Sequence, residues 1–153
     1  MVITKHDIER KFCEYNEAYF GGKLPMPKIS MYTTKCSYGN ITYYPNKNVK
    51  NKLKIAKNIN WTEDTLMGTI IHEMIHLYLF VNYYPHYTKK YGAHGKLFKK
   101  VKNNIEKQYN IKLKSPSRTD ILSYKNHKQQ PRTMLDKIEK WFYDYVVRYI
   151  LYY

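Results

Sequence analysis

Apolar residues recur along this chain at two different spacings, and the spacing changes from segment to segment. Ile8, Phe12, Tyr15 and Tyr19 fall on one face of a helix. Thr4 precedes them as an N-cap, with Asp7 placed to complete a capping box. Gly21-Gly22 ends that helix, and Pro25 and Pro27 keep it from resuming. Alternation then replaces the helical period. Residues 29–34, 41–44 and 53–59 each read as a strand, with Gly39-Asn40 as a turn signal. Three strands with short connections predict a small, mainly antiparallel sheet.

The helical period returns at Thr62, an N-cap followed by Glu63 and Asp64, which suit the positive end of the helix dipole. Trp61 and Leu66 are spaced for a hydrophobic staple. The helix is expected to run to about Val81 and to stop before Pro85. It is apolar on most sides (Leu66, Ile70, Ile71, Met74, Ile75, Leu77, Leu79, Phe80), so it belongs in the core. Residues 82–93 are a Tyr-rich loop. Residues 94–109 form an amphipathic helix with Leu97, Phe98, Val101, Ile105 and Tyr109 inward. Residues 115–132 read as an irregular basic linker, and residues 133–153 as a final aromatic helix. The organisation is therefore one α+β domain over residues 1–114, a linker, and a helix packed on or appended to the domain.

Composition narrows the class. With 153 residues the chain holds one domain with a real core. Its 2 cysteines, Cys13 and Cys36, exclude a disulfide framework and a four-cysteine zinc ribbon, and are expected to be free thiols. No signal peptide is visible in Met1-Val2-Ile3 and the charged residues that follow, so an intracellular, soluble protein is expected. The apolar run Leu66 to Val81 is not read as a membrane span, because His72, Glu73 and His76 interrupt it.

The net charge of +15 is uneven: residues 1–88 carry 11 Lys/Arg against 7 Asp/Glu, and residues 89–140 carry 15 against 4. That asymmetry is the footprint of a nucleic-acid-facing surface, and Lys89, Lys90, Lys96, Lys99, Lys100 and Lys102 are its first candidates. The competing reading is a solvated basic face in a lysine-rich protein. Tyrosine rings, 18 in all, offer stacking partners for unpaired bases, so single-stranded DNA is a candidate ligand.

The chemistry is concentrated in His72-Glu73-Met74-Ile75-His76. With 6 His and 7 Glu in the chain, composition alone predicts roughly 0.01 such H-E-x-x-H pentads. On a helix, positions four apart share a face, so both imidazoles can reach one metal ion. Glu73 can then reach a water on that metal. A catalytic zinc takes a third protein ligand. Leu79 and Asn82 stand where the metzincin pattern requires Gly and His, so that class fails. Glu106 and Glu139 are the downstream glutamates that a gluzincin pattern could use, and His86, His94 and His127 the downstream imidazoles. His94 is favoured because it opens a helix that docks on the metal helix, whereas His86 lies in a loop and His127 in the basic linker.

His72-Glu73-Met74-Ile75-His76 with His94-Gly95-x-x-Phe98 downstream resembles the SprT-like metalloprotease domain, the family that includes the Spartan proteases. Tyr19-Phe20-Gly21-Gly22-Lys23-Leu24 resembles the end of its amino-terminal helix, and residues 35–44 resemble its strand region. The resemblance covers residues 8–114. It implies a zincin-like α+β domain, one zinc held by His72, His76 and His94, and Glu73 as general base. It further implies cleavage of DNA-bound or DNA-crosslinked proteins. Many such proteins carry a cysteine zinc ribbon after the protease core. Here residues 124–130 contain no cysteine, so the basic surface would have to supply the DNA contact. Two other functions compete: a nucleic-acid-binding module on a vestigial zincin core, and a general small zinc peptidase indifferent to DNA.

Overall fold

The computed structural model describes residues 1–84, 86, 87 and 92–122. They form an α+β domain of three helices and a three-stranded sheet, with one 3-10 turn at Arg118–Asp120. Helix α1 (Lys5–Phe20) begins at the expected capping box. The Asp7 amide donates to Thr4 Oγ1 at 3.2 Å, and the Thr4 amide donates to Asp7 Oδ2 at 2.8 Å. The helix ends on Gly21 at φ 62°, a left-handed cap that glycine adopts without a Cβ clash. Asn16 then holds the turn, donating to the Leu24 carbonyl at 3.0 Å and accepting from its amide at 3.1 Å. Ile8 and Phe12 are buried, as their spacing requires.

Strands β1 (Lys28–Tyr32), β2 (Gly39–Thr42) and β3 (Lys52–Ala56) pair in the order β1-β3-β2. The sheet is mixed rather than mainly antiparallel: β1 runs parallel to β3, and β2 antiparallel to it. After β1 the chain turns at Thr34, whose Oγ1 accepts from the amides of Cys36 and Ser37. It skips one strand position, and β3 later fills the gap. Leu53 and Ile55 on β3 are fully buried and Lys52 and Lys54 exposed, the signature of a sheet covered on one face. The third strand stops at Ala56, short of the expected residue 59. There Asn58 leaves the ladder to exchange two 2.8 Å hydrogen bonds with the Thr34 backbone.

Helix α2 (Glu63–Tyr83) has the expected Thr62 cap, and the stapling pair Trp61 and Leu66 is buried. Eleven of its residues, His76 and Glu73 among them, are buried. The cap residue's neighbour Glu63 also accepts a 2.6 Å hydrogen bond from Lys11 Nζ, fastening α2 to α1. Helix α3 (Lys96–Tyr109) starts at Gly95 and ends on Asn110 at φ 52°. Phe98 and Ile105 form its buried edge.

The basic segment after residue 114 begins inside the domain. The Leu113 amide donates to Glu106 Oε1 at 2.8 Å, Ile121 bridges to Ile59, and the Leu122 amide donates to the Asn58 carbonyl at 2.9 Å. On this path it crosses α2 at Gly68. A Cβ there would lie 1.9 Å from the Lys114 carbonyl oxygen, so only glycine admits the crossing. A compact unit therefore extends from Met1 to Leu122. The remainder of the expected linker and the expected helix over 133–153 lie outside the described residues. Cys13 and Cys36 are both free and exposed. Among the described residues, no helix is long and apolar enough to cross a membrane.

Candidate metal centre

His72 and His76 leave α2 one turn apart on the same face, and His94 reaches them from the turn just before α3. Their Nε2 atoms form a nearly equilateral triangle: 3.2 Å between His72 and His76, 3.0 Å from His94 to each. A ring nitrogen carries either one proton or one lone pair, so three mutual hydrogen bonds are impossible. Three lone pairs converging on one point explain the arrangement. Zinc bound tetrahedrally at 2.0–2.1 Å separates its nitrogen ligands by about 3.3 Å, within a few tenths of an ångström of this triangle. All-imidazole donors suit that metal, and three of them leave a fourth position for chemistry.

Phe98 supports the cluster. Its ring centroid lies 4.8 Å from that of His72, 4.6 Å from His76 and 5.0 Å from His94. This is the physical content of the His-Gly-x-x-Phe spacing: one aromatic ring, buried by α3 docking, backs all three imidazoles. The other downstream candidates are elsewhere. Glu106 is engaged with the Leu113 amide, and His86 is exposed and outside the cluster. His127 and Glu139 lie outside the described residues.

The surroundings keep the imidazoles neutral. Burial, then His94 and Lys102, lowers His72 to about 4. Burial, then the other two imidazoles, lowers His76 to about 3. Each therefore offers a lone pair at neutral pH. Glu73, 7% exposed, moves the other way: burial raises its carboxyl to about 7, against a hydrogen bond from the Ile41 amide that lowers it. Glu73 lies under β2, where Gly39 makes room. A Cβ at Gly39 would meet Glu73 Cγ and Oε1 at 3.0 Å.

The histidines and Glu73 open into one cleft of about 360 Å³, walled by Tyr38 to Ile41 of the β2 segment and by Ser115. Two residues that the sequence reading left without a site role shape the interior. Tyr87, buried to 1% exposure, lies 2.7 Å from His76 Nδ1 through its hydroxyl, which donates to the Ala93 carbonyl. Phe80 meets the Tyr87 ring edge-on, centroids 5.0 Å apart.

The candidate nucleic-acid lysines divide. Lys96, Lys99 and Lys100 are exposed on α3. Lys102 is half-buried and close enough to His72 to lower its pKa. Lys89 and Lys90 lie outside the described residues. Compared with known families, the chain matches the model of the SprT-like family over residues 8–119. That family is associated with zinc metallopeptidase activity. Among curated proteins none matches the chain.

Proposed function

Because this chain belongs to the SprT-like family, we propose that it is a zinc metalloendopeptidase of zincin type acting on DNA-bound or DNA-crosslinked proteins. His72, His76 and His94 would hold the ion, and Glu73 would act as general acid and base. The observation that carries the reading is the triangle of Nε2 atoms beside a buried carboxylate in one open cleft.

A zinc ion bound there supplies a Lewis acid and lowers the pKa of a water to about 7. Glu73 takes the proton from the attacking water on a carboxylate oxygen and delivers it to the leaving amine nitrogen. Burial tunes it for both steps, since a carboxyl raised to about 7 is a stronger base than a solvated one. The Ile41 amide holds the carboxylate from the strand side. β2 is an edge strand of the sheet, and its Tyr38–Ile41 segment walls the cleft, so an extended substrate segment would add alongside it. The Tyr87 proton is committed to the Ala93 carbonyl, so oxyanion stabilisation falls to other cleft groups.

The DNA half of the proposal is supported by charge and its placement. α3 leaves the metal site two residues after His94 and presents Lys96, Lys99 and Lys100 to solvent. A duplex or single strand held there would bring its bound protein to the cleft. The test is one assay: purified protein with zinc, a DNA-binding substrate, and single-stranded DNA present or absent. Zinc- and DNA-dependent cleavage, lost in Glu73→Gln while zinc is retained, is the expected outcome. Cleavage unchanged by DNA would leave a general peptidase, and salt-sensitive DNA binding without cleavage would leave a binding module.

A further inference from the structure

We infer that Tyr87 is the positioning residue that makes His76 a metal ligand, fixing its tautomer and tying the turn that carries His94 to the metal helix through one oxygen. The inference rests on the zinc reading above and deepens it.

The argument is a count of protons. A phenolic hydroxyl has one proton and lone pairs. The Ala93 carbonyl has lone pairs only, and it lies against the Tyr87 oxygen at hydrogen-bonding distance, so the phenolic proton must sit between them. The Tyr87 oxygen can then only accept from His76 Nδ1, 2.7 Å away. Nδ1 therefore carries the ring proton, and Nε2 carries a lone pair. That lone pair points where the Nε2 atoms of His72 and His94 converge, at 3.2 and 3.0 Å. The opposite assignment sets two oxygens lone pair to lone pair, and it leaves His76 Nε2 without the lone pair that a metal ligand needs.

The same hydroxyl spans two pieces of chain. His76 belongs to α2, whereas Ala93 immediately precedes His94. One buried oxygen thus links the supports of two ligands that are 18 residues apart in sequence. Phe80, one turn beyond His76, holds the Tyr87 ring edge-on and limits its rotation. Metal sites depend on such outer partners: a ligand imidazole held by its second nitrogen is oriented and made a better donor.

The test has two readouts that do not involve catalysis. In the zinc-free wild-type protein, long-range 1H–15N NMR of the His76 ring should show Nδ1 protonated and Nε2 bare. A predominant Nε2–H form overturns the inference. Tyr87→Phe keeps the ring and removes only the hydroxyl. By competition against a chromogenic chelator, zinc should bind this variant 10- to 100-fold more weakly. Tyr83→Phe, at an exposed position outside the cleft, should match wild type. Wild-type zinc affinity in Tyr87→Phe overturns the inference while leaving the zinc reading intact. A wild-type protein that binds no zinc overturns that reading instead, and the tautomer measurement still judges Tyr87. If Tyr87→Phe fails to fold, the wild-type tautomer decides alone.

Discussion

Replacing Glu73, the proposed general base, should make the metal-free protein more stable, and the gain should depend on pH in a prescribed way. Burial holds Glu73 at about 7 in the fold against an ordinary value of 4.5. At 1.36 kcal/mol per pKa unit, the ionised carboxylate costs the folded state about 3 kcal/mol. Between pH 4.5 and 7 the folded chain keeps a proton that the unfolded chain has released, so wild-type stability falls as pH rises. Above 7 both states are ionised and the whole cost is present. Gln cannot ionise, and its side-chain oxygen can still accept from the Ile41 amide. In EDTA, Glu73→Gln should exceed wild type by under about 1 kcal/mol at pH 5 and by about 3 kcal/mol at pH 8. Urea denaturation at the two pH values measures both gaps. Contributions common to the two proteins cancel in the difference. In thermal melts at pH 8 the gap corresponds to an upward shift of roughly 10 °C. A gap that is flat with pH, or a variant less stable at pH 8, would refute the assignment of Glu73 as a buried, strained base.

Three further outcomes follow from the geometry. His94→Ala should abolish tight zinc binding yet keep the melting temperature of the metal-free protein within a few degrees, because His94 is exposed; equilibrium dialysis and calorimetry check both halves. Gly68→Ala should cost about 3 kcal/mol or more by denaturant titration, since its Cβ would displace the Lys114 backbone rather than a movable side chain. Gly39→Ala should lower kcat on the order of tenfold with little change in KM, because its Cβ presses on Glu73 and Thr69 Cγ2; unchanged kcat would show that Glu73 tolerates displacement.

What was legible in the sequence was local. Thr4, Asp7, Thr62, Trp61 and Leu66 act within a few residues of one another, so the starts of α1 and α2 could be read directly. The convergence of the three histidines was also legible, because two of them share a helix turn and Gly95 marks the helix start beside the third. Sheet order was not. Leu53 and Ile55 alternate in the same way whether β3 lies at an edge or in the middle, and only pairing decides. The roles of Gly39 and Gly68 were hidden for a related reason: each accommodates atoms more than 30 residues away in sequence. Tyr87 was one tyrosine among 18, and its partners are a ring nitrogen 11 residues back and a backbone carbonyl, neither of which leaves a periodic trace.

The crossing at Gly68 bears on how this protein can be cut. A fragment ending at residue 114, where the sequence pattern breaks, would shed Ser115 from the cleft wall and the Ile59–Ile121 bridge together. It would also free the Asn58 carbonyl that the Leu122 amide now satisfies. The shortest recombinant fragment that keeps both the histidine-lined cleft and its outer seam ends at Leu122. Shorter fragments should express as open, protease-sensitive forms whose loss of activity says nothing about the three histidines.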